Sequence, residues 1–311
     1  MKPLLYTAPL FLEHQTGMHP ERPARLARIL QHLEHEGYLA KCERPDWTPA
    51  TVDQLTRVHC PEYLDEVRQL AEKGGGRIEA DTVVSAKSDA AARLASGAAC
   101  DAVARVVRGQ SRAALSLHRP PGHHALQRAA MGFCLFNHVA VAARAALSEH
   151  KLNRVLIVDF DVHHGNGTQD SFYEDEQVGF FSIHRFPFYP GSGAADETGA
   201  GPGLGYTCNV PISFDTSRDD YHARFRSSLQ KFADKVRPEL VLVSAGFDAH
   251  RLDSIGSLGL ETDDFATLTR VVLEVAKQFA GGRVVSLLEG GYNIDVLPAC
   301  VARHLDELLA D

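Results

Sequence analysis

Three short apolar runs in this chain lead directly into clusters of polar residues, and this pattern restricts the possible folds more than any other feature. The runs are RVLIVD (154–159), LVLVSA (240–245) and RVVSLL (283–288). Near-continuous, β-branched runs of this kind are typical of strands that are buried on both faces of a parallel sheet. Sites in open α/β sheets form beyond the carboxyl ends of the strands. The polar clusters FDVHHGNG, GFD and EGGY are therefore expected to meet at one edge of the sheet.

Amphipathic helical patterns lie between the apolar runs. Helices are predicted over 88–108, 137–148, 219–238 and 262–279, the last of them capped by Thr262. Further strands are predicted near the N-terminus and over 113–117 and 178–183. This alternation predicts a three-layer α/β fold with helices on both faces of a mainly parallel sheet. Composition does not change along the chain, so residues 1–311 are expected to form a single domain.

Composition argues against several classes of protein. The chain carries 32 Lys and Arg against 40 Asp and Glu, a net charge of −8, so direct nucleic-acid binding is not expected. Its six cysteines are scattered without a CxxC pair, which argues against a zinc knuckle and fits a reducing, cytoplasmic location. The N-terminal apolar run is interrupted by Pro3 and Pro9 and is too short to span a membrane, so no membrane association is expected. The sequence does not indicate an oligomeric state.

The segment after the run 154–159 carries a candidate metal site. In extended backbone Asp159, Asp161 and His163 share one face, because side chains alternate. Two carboxylates and an imidazole, with no basic residue in the segment, favour a divalent cation over a salt-bridged strand end. Asp248, after the LVLVSA run, is a further candidate, although a lone Asp there could simply cap a helix. Asp161, His163 and Asp248 would leave a fourth position open for water, as in catalytic sites.

Two adjacent histidines in a Pro-Gly loop, HRPPGHH (118–124), are candidates for proton transfer. His123 and His124 follow the predicted strand 113–117 and so lie near the same edge of the sheet. One could deprotonate a metal-bound water while the other holds or delivers a proton. Asp159 and Asn166 are the candidates to orient them. The alternatives are that both histidines are further metal ligands or that they only bind backbone carbonyls.

The EGGYN segment supplies a candidate oxyanion donor. Gly290 lets the chain approach a substrate closely, and Tyr292 could donate its O–H to a developing negative charge. A tyrosine after a turn also commonly just packs. The chain has no GxSxG motif and no cysteine in a catalytic setting, so covalent acyl transfer is not expected. Several histidines outside these clusters are expected to be solvated: His14, His32, His35, His59, His150, His222 and His304.

Together these segments resemble the zinc-dependent histone deacetylase family, on its class II-like branch and within the acetylpolyamine amidohydrolase superfamily. The matching blocks, in the family's order from about Tyr6 onwards, are HPERPARL, PPGHHA, GFCLFNHVAVAA, VLIVDFDVHHGNGTQ, FFSIHRFPFYPGSG, VLVSAGFDAH and LLEGGYN. The resemblance implies an arginase-like α/β fold with a central, mainly parallel sheet of about eight strands. It also implies a zinc-dependent deacetylase, a hydrolase of linear amide C–N bonds.

The resemblance also implies how metal ions are bound. Asp161, His163 and Asp248 would hold one zinc ion, which would polarise the amide carbonyl together with Tyr292. Family members often bind potassium beside the zinc. The residues that match the first potassium site are Asp159, Asp161, His163 and Ser182, and a second site lies near Phe172, Val178 and Tyr206.

For the histidines, the resemblance implies that His124 is the general base and later the general acid. Asp159 would orient His123. Asn166 would partner His124 at a position where the class I branch has an aspartate, and a neutral partner should raise the pKa of that histidine less than a carboxylate would. Tyr292 is the residue that active deacetylases of the family use, which favours a working enzyme.

A narrow apolar channel for the lysine stem is also implied. Gly132, Phe133 and Tyr189 match its walls, although phenylalanine is usual where Tyr189 stands. Asp81 matches the rim acid that holds the substrate backbone, and Arg25 matches an arginine of the inner acetate pocket.

The expected function is removal of an acetyl or other acyl group from acylated lysine side chains of a peptide or protein. The main alternative is deacetylation of acetylpolyamines or other small acetylated amines. A dinuclear arginase-type hydrolase would need a further acid near Asp248, where the chain has His250. A catalytically silent acyl-lysine binder is the remaining alternative, and the retention of every candidate catalytic residue argues against it.

Overall fold

The structure, a computed structural model that describes residues 1–310, is built on a seven-stranded parallel sheet. The strands, in chain order, are β1 (Leu4–Tyr6), β2 (Gly75–Arg77), β3 (Val83–Ser85), β4 (Ala113–Ser116), β5 (Val155–Asp159), β6 (Val178–Arg185), β7 (Thr207–Ile212), β8 (Leu240–Ala245) and β9 (Val284–Leu288). The main sheet has the order β1-β4-β9-β8-β5-β6-β7, and all of its neighbouring strands pair in parallel. Strands β2 and β3 form a separate antiparallel pair.

All of the apolar runs predicted as strands are strands in the structure, but the number of strands in the main sheet differs from the expectation. The part of the chain that the structure describes has seven strands in the main sheet rather than about eight. Strand β7 was not predicted, because its sequence TCNVPI is neither continuously apolar nor free of proline. Its position at the edge of the sheet explains why Pro211 is tolerated there.

Helices cover both faces of the sheet, as predicted. They are α1 (Pro23–His35), α2 (Tyr38–Lys41), α3 (Val52–Thr56), α4 (Pro61–Glu72), α5 (Ser88–Val107), α6 (His138–Ser148), α7 (Asn166–Phe172), α8 (Arg218–Val236), α9 (Asp264–Phe279) and α10 (Leu297–Ala310). Of the helices in residues 1–310, none is both long enough and apolar enough to cross a bilayer. The assignment of residues 1–311 to a single domain stays a prediction.

Alternate residues along the strands belong to two different core layers. On β8, Val241 and Val243 pack with residues of α1, α8, α9 and α10, whereas Leu240 and Leu242 pack mainly with residues of α4, α5 and α6. This explains why the central strands read as continuous apolar runs, since both of their faces are covered. The predicted three-layer arrangement is therefore confirmed.

The sheet order brings the polar clusters together. Strands β4, β9, β8 and β5 are consecutive neighbours, and each of them leads into one of the four clusters recognised in the sequence. Their ends are almost level, because Asp159 lies opposite Ser244 and Leu287 lies opposite Ser116. The loops after these strands therefore leave the sheet side by side.

The start of α9 differs from the prediction in a way that adds a tertiary contact. Asp263 is the N-cap residue and Thr262 lies before it, outside the helix. The Asp264 carboxylate accepts hydrogen bonds from the Glu261 N–H (2.6 Å), from Arg218 Nε (2.7 Å) and from His222 Nε2 (2.7 Å). Asp264 therefore ties the first turn of α8 to the first turn of α9.

The Asp264→Ala substitution is expected to lower the free energy of unfolding by about 2 kcal/mol, because hydrogen bonds to charged partners are lost. Burial alone would raise the pKa of Asp264, but the hydrogen bonds from His222 and Arg218 outweigh it and hold that pKa well below its usual value. A lowered folded-state pKa stabilises the protein above the unfolded-state pKa, so the difference from wild type should shrink below about pH 4. Urea unfolding as a function of pH measures both effects.

The matched control is Asp263→Ala, since the Asp263 side chain is 77% exposed and pairs only with the surface residue Arg303. Its expected effect is below about 0.5 kcal/mol. Equal destabilisation by the two substitutions would contradict the role given to Asp264.

Candidate active site

Asp161, His163 and Asp248 form a three-residue cluster beyond the carboxyl ends of β5 and β8. One ligand atom from each residue lies within 4.8 Å of the other two, and all three residues are buried. His163 Nδ1 lies 3.0 Å from Asp161 Oδ1 and 3.1 Å from Asp248 Oδ2. Burial and the neighbouring Asp161 carboxylate raise the pKa of Asp248 to about 7. Two crowded carboxylates and an imidazole form a donor set that suits a divalent cation.

Backbone N–H groups hold the carboxylates of Asp161 and Asp248 in place. Asp161 Oδ2 accepts from the Gly290 N–H (2.8 Å), and Asp248 Oδ1 accepts from the Val162 N–H (2.9 Å). Asp161 Oδ1 also accepts from the His163 N–H (2.9 Å). These bonds link the loops after β5, β8 and β9, so the ligand positions are fixed by the main chain.

Gly290 lies directly against the two carboxylates of the cluster. A Cβ at this position would collide with the carboxylates of both Asp248 and Asp161, and a Cβ at Gly246 would collide with Asp161. Gly290 is not among the described residues that line the adjacent cavity. The absence of a side chain at Gly290 thus leaves the space that the carboxylates need, and the substrate contact predicted for Gly290 stays a prediction.

The two histidines are oriented by different partners. His123 Nδ1 lies 2.9 Å from Asp159 Oδ2, and His124 Nδ1 lies 2.7 Å from Asn166 Oδ1. Because the Asn166 oxygen can only accept, His124 carries its proton on Nδ1 and keeps the lone pair on Nε2. The structure thus brings together the pairs that the sequence suggested.

The pKa values of the two histidines shift in opposite directions. Burial alone would lower the pKa of His123, but the charges of Asp159 and Asp161 outweigh it and raise the pKa to about 10. Burial, together with the positive charges of His123 and His163, lowers the pKa of His124 well below its usual value. His124 is therefore neutral at physiological pH and able to accept a proton, whereas His123 is positively charged.

A cavity of about 230 Å³ opens above this cluster. It is lined by Asp81, His124, Gly132, Phe133, His163, Phe188, Tyr189, Ile255 and Tyr292. Of the predicted channel residues, Gly132, Phe133, Tyr189 and Asp81 are all part of this lining. The Tyr189 ring packs edge-on against His124, with centroids 5.3 Å apart.

Tyr292 is held in the cavity wall from three sides. Its ring packs edge-on against Phe133, with centroids 5.6 Å apart, and the Arg25 guanidinium lies 4.7 Å from the ring centroid. The Asp253 carboxylate accepts from the Tyr292 N–H (2.7 Å) through one oxygen and from the Ile255 N–H (2.9 Å) through the other. Burial raises the pKa of Tyr292 well above its usual value, so its O–H stays protonated and can act as a donor.

Two lining residues, Phe188 and Ile255, were missed by the sequence reasoning. Phe188 stacks on His163 with centroids 5.3 Å apart, and its place beside Tyr189 in the FPFYPGSG block was the available signal. Ile255 lies in a loop with no motif, so local sequence could not indicate it. Ile255 is held in the cavity wall by the Asp253 hydrogen bonds, which join the Ile255 loop to the Tyr292 loop.

Comparison with known proteins is consistent with this geometry. Residues 19–308 match the family described as the histone deacetylase domain. The chain is 37% identical to a histone deacetylase-like amidohydrolase from Pseudomonas aeruginosa over 93% of this chain and 77% of that protein. It is 40% identical to human polyamine deacetylase HDAC10 over 94% of this chain, which spans only 45% of that protein. The crystal structure of the HDA15 HD domain superposes with a TM-score of 0.92 at 35% identity, covering 100% of this chain and 89% of the other.

The Asp253→Ala substitution is expected to loosen the cavity wall without unfolding the sheet. The amides of Tyr292, Asn293, Ile255 and Gly256 each donate to the Asp253 carboxylate at 2.7–3.1 Å, so their hydrogen exchange should accelerate by about tenfold or more. Hydrogen-exchange mass spectrometry of peptides 250–258 and 289–296 measures this.

Asp295→Ala is the matched control, because the Asp295 side chain is 80% exposed and its partner is the surface residue Arg28. Exchange in both peptides should stay at the wild-type rate in this variant. Unchanged exchange in Asp253→Ala would contradict the proposed link between the two loops.

Proposed function

Because this chain belongs to the histone deacetylase family, we propose that it is a zinc-dependent deacetylase that removes acetyl or other acyl groups from lysine side chains of peptides or proteins. One observation carries the proposal: a carboxylate–imidazole cluster, a neutral buried histidine and a protonated tyrosine all border the same narrow cavity. Each of the groups needed for amide hydrolysis is thus within one site.

Asp161, His163 and Asp248 would hold the zinc ion. Oxygen and nitrogen ligands in this number match catalytic zinc sites, which keep a further position for water or substrate. The space left above Gly246 and Gly290 for the two carboxylates fits this role. The chemistry that zinc supplies in such sites is Lewis-acid activation of a water molecule and of the substrate carbonyl. Potassium binding near Ser182 stays a prediction from the resemblance.

His124 is proposed to move the proton. Its Nε2 would accept a proton from the attacking water as the new C–O bond forms at the amide carbon. The same nitrogen would then deliver that proton to the departing amine as the C–N bond breaks. The hydrogen bond from Nδ1 to Asn166 keeps the ring in the tautomer that this transfer requires. His123, held positive by Asp159, adds favourable electrostatic attraction for negative charge that develops on the substrate.

Tyr292 is proposed to stabilise the negative charge on the carbonyl oxygen. Its O–H remains protonated and its ring is fixed between Phe133 and Arg25. Removal of one such donor typically costs about 100-fold or more in kcat.

The cavity walls favour a lysine stem over a charged polyamine chain. Among the described residues that line it, Asp81 is the one carboxylate, and Phe133, Phe188 and Ile255 supply apolar surface. An alkyl stem fits such walls, whereas a second ammonium group beside the apolar residues would lose hydration, with Asp81 as its one carboxylate partner among the described lining residues. Asp81, at the same cavity, is proposed to accept a hydrogen bond from the substrate backbone.

A small acetylated polyamine is the second candidate substrate. The observation that favours it is the 40% identity to a relative named as a polyamine deacetylase, although this chain spans less than half of that protein. A cytoplasmic location, and the expectation that the chain binds neither nucleic acid nor membranes, stay predictions from the sequence.

The first test is hydrolysis by the zinc-loaded protein of an acetyl-lysine peptide and of a monoacetylated polyamine. We expect kcat/KM to be about tenfold or more higher for the peptide, since a mismatched charge in the cavity costs about 1.4 kcal/mol or more. Tyr292→Phe, which retains the ring, should reduce kcat by about 100-fold. Tyr173→Phe, outside the cavity lining, is the matched control and should leave kcat unchanged.

A higher kcat/KM for the polyamine would replace the lysine substrate with the second candidate. Absence of hydrolysis for both substrates and for other acyl-lysine peptides would contradict the deacetylase assignment itself.

The second test concerns the metal. Asp248→Asn removes one carboxylate charge from the cluster and is expected to weaken zinc binding by about 100-fold, because anionic oxygen ligands supply much of the affinity. Equilibrium dialysis against zinc with metal analysis measures this without reference to activity. Asp263→Asn, an exposed acid at the start of α9, is the control. Full zinc binding by Asp248→Asn would contradict the ligand set.

A further inference from the structure

Glu289 is a fully buried carboxylate that the proposed reaction does not yet use. It follows β9 directly, and its relative exposure is 0%. Its Oε2 accepts from the Gly122 N–H (2.7 Å) and from the His123 N–H (3.2 Å). Its Oε1 accepts from the Ser244 hydroxyl (3.0 Å), which lies in β8. The carboxylate therefore bridges three neighbouring chain segments at the base of the site.

The main chain of Glu289 is itself firmly held. Its N–H donates to the Ala245 carbonyl (2.9 Å), which continues the pairing of β9 with β8. Its carbonyl accepts from Arg25 Nη2 (2.6 Å), and Arg25 Nε donates to the Gly291 carbonyl (2.5 Å). A side chain anchored in this way has little freedom, so what it binds is held in a fixed position relative to the sheet.

The loop that Glu289 holds has no regular secondary structure of its own. Residues 117–122 lie outside helices and strands, and the N–H groups of Gly122 and His123 point into the protein interior. Buried N–H groups without acceptors are costly, so the carboxylate supplies what a helix or a strand would otherwise provide.

The loop also packs closely against the residues at the start of α6. A Cβ at Gly122 would lie 2.8 Å from the His138 nitrogen and 2.9 Å from the Phe136 carbonyl oxygen. The loop is therefore in contact both with Glu289 and with the residues at the start of α6.

Burial of the Glu289 carboxylate as an acceptor for the loop N–H groups costs free energy. The contacts of its oxygens are with neutral donors, and burial raises the pKa of Glu289 to about 7. An apolar residue at the end of β9 would avoid the burial of charge but would leave both loop N–H groups without their acceptor. The geometry thus indicates a requirement for acceptors at this point rather than for packing.

We propose that Glu289 is a positioning residue for the adjacent histidines, acting through hydrogen bonds to the N–H groups of Gly122 and His123. It sets the distance of His124 Nε2 from the metal-ligand cluster and from the substrate carbonyl. This inference rests on the proposed function, because it assigns His124 the proton transfer. Its mechanism requires two acceptor contacts and does not require a negative charge.

The test compares three substitutions that separate acceptors from charge. Glu289→Gln keeps the length of the side chain, and its oxygen can face both N–H groups while its amide donates to Ser244 Oγ. Glu289→Ala removes the acceptors. Glu289→Asp keeps the charge but withdraws the oxygens by one methylene. We expect Glu289→Gln to retain kcat within about threefold, whereas Ala and Asp lower it by about 100-fold through misplacement of His124.

Two further measurements distinguish positioning from general loss of structure. KM for the acyl-lysine peptide should change by less than about threefold in all three variants, because the cavity walls are not altered. Hydrogen exchange at Gly122 and His123 should accelerate by about tenfold or more in the Ala and Asp variants and stay near wild type in the Gln variant. Should Glu289→Ala not fold, the comparison of Gln with Asp decides the question alone.

Equal loss of kcat in the Gln and Ala variants would overturn the proposal, since it would show that the charge is what matters. Wild-type kcat in the Ala variant would overturn it as well. Failure of the deacetylase assignment is a different result, in which the wild-type protein hydrolyses neither candidate substrate. In that case the amide-exchange comparison still decides whether Glu289 holds the loop.

Discussion

Negative charge buried at one edge of the sheet is the constraint on which the site depends. Asp159, Asp161, Asp248 and Glu289 lie at the ends of three adjacent strands, and each is at most 1% exposed. Carboxylates in a protein interior repel one another and lose hydration, so they persist only with donors and cations around them. Backbone N–H groups supply the donors here, and His123 supplies positive charge. A divalent cation bound by the cluster would offset the remainder.

The two neighbouring imidazoles of His123 and His124 differ in charge. Asp159 ends β5 and faces His123, whereas Asn166 begins α7 and faces His124. The Asp159 carboxylate favours an imidazolium at His123, whereas at His124 burial and nearby positive charge outweigh the hydrogen bond to the neutral Asn166 oxygen and keep the ring neutral. Asp161 and His163, the proposed metal ligands, lie between Asp159 and Asn166 in the sequence. The turn after β5 therefore carries residues of both the proposed metal site and the proposed proton transfer.

The sequence predicts a structural feature of this protein well where the residues that determine it are close together in the chain. The strands β5, β8 and β9 were predicted to within one residue, because doubly buried β-branched runs have few other interpretations. The prediction that His14, His59 and His304 are solvated was wrong, since all three are buried. His14 pairs with Ser88, His59 with the Leu126 carbonyl, and His304 with Thr269 and Ser286. Each partner is distant in sequence, so the residues next to each histidine do not indicate that it is buried.

A contact outside the cavity lining joins two of the loops that form the cavity wall. The Arg185 guanidinium lies between the rings of Phe188 and Phe214, 4.1 and 4.3 Å from their centroids, and donates to the Gly256 carbonyl (3.1 Å). It therefore joins the loop that carries Phe188 to the loop that carries Ile255. Cation–π contacts of this kind are worth about 1 kcal/mol each at partly exposed sites. The sheet thus fixes the polar clusters, while surface loops joined by one arginine carry residues of the cavity wall above them.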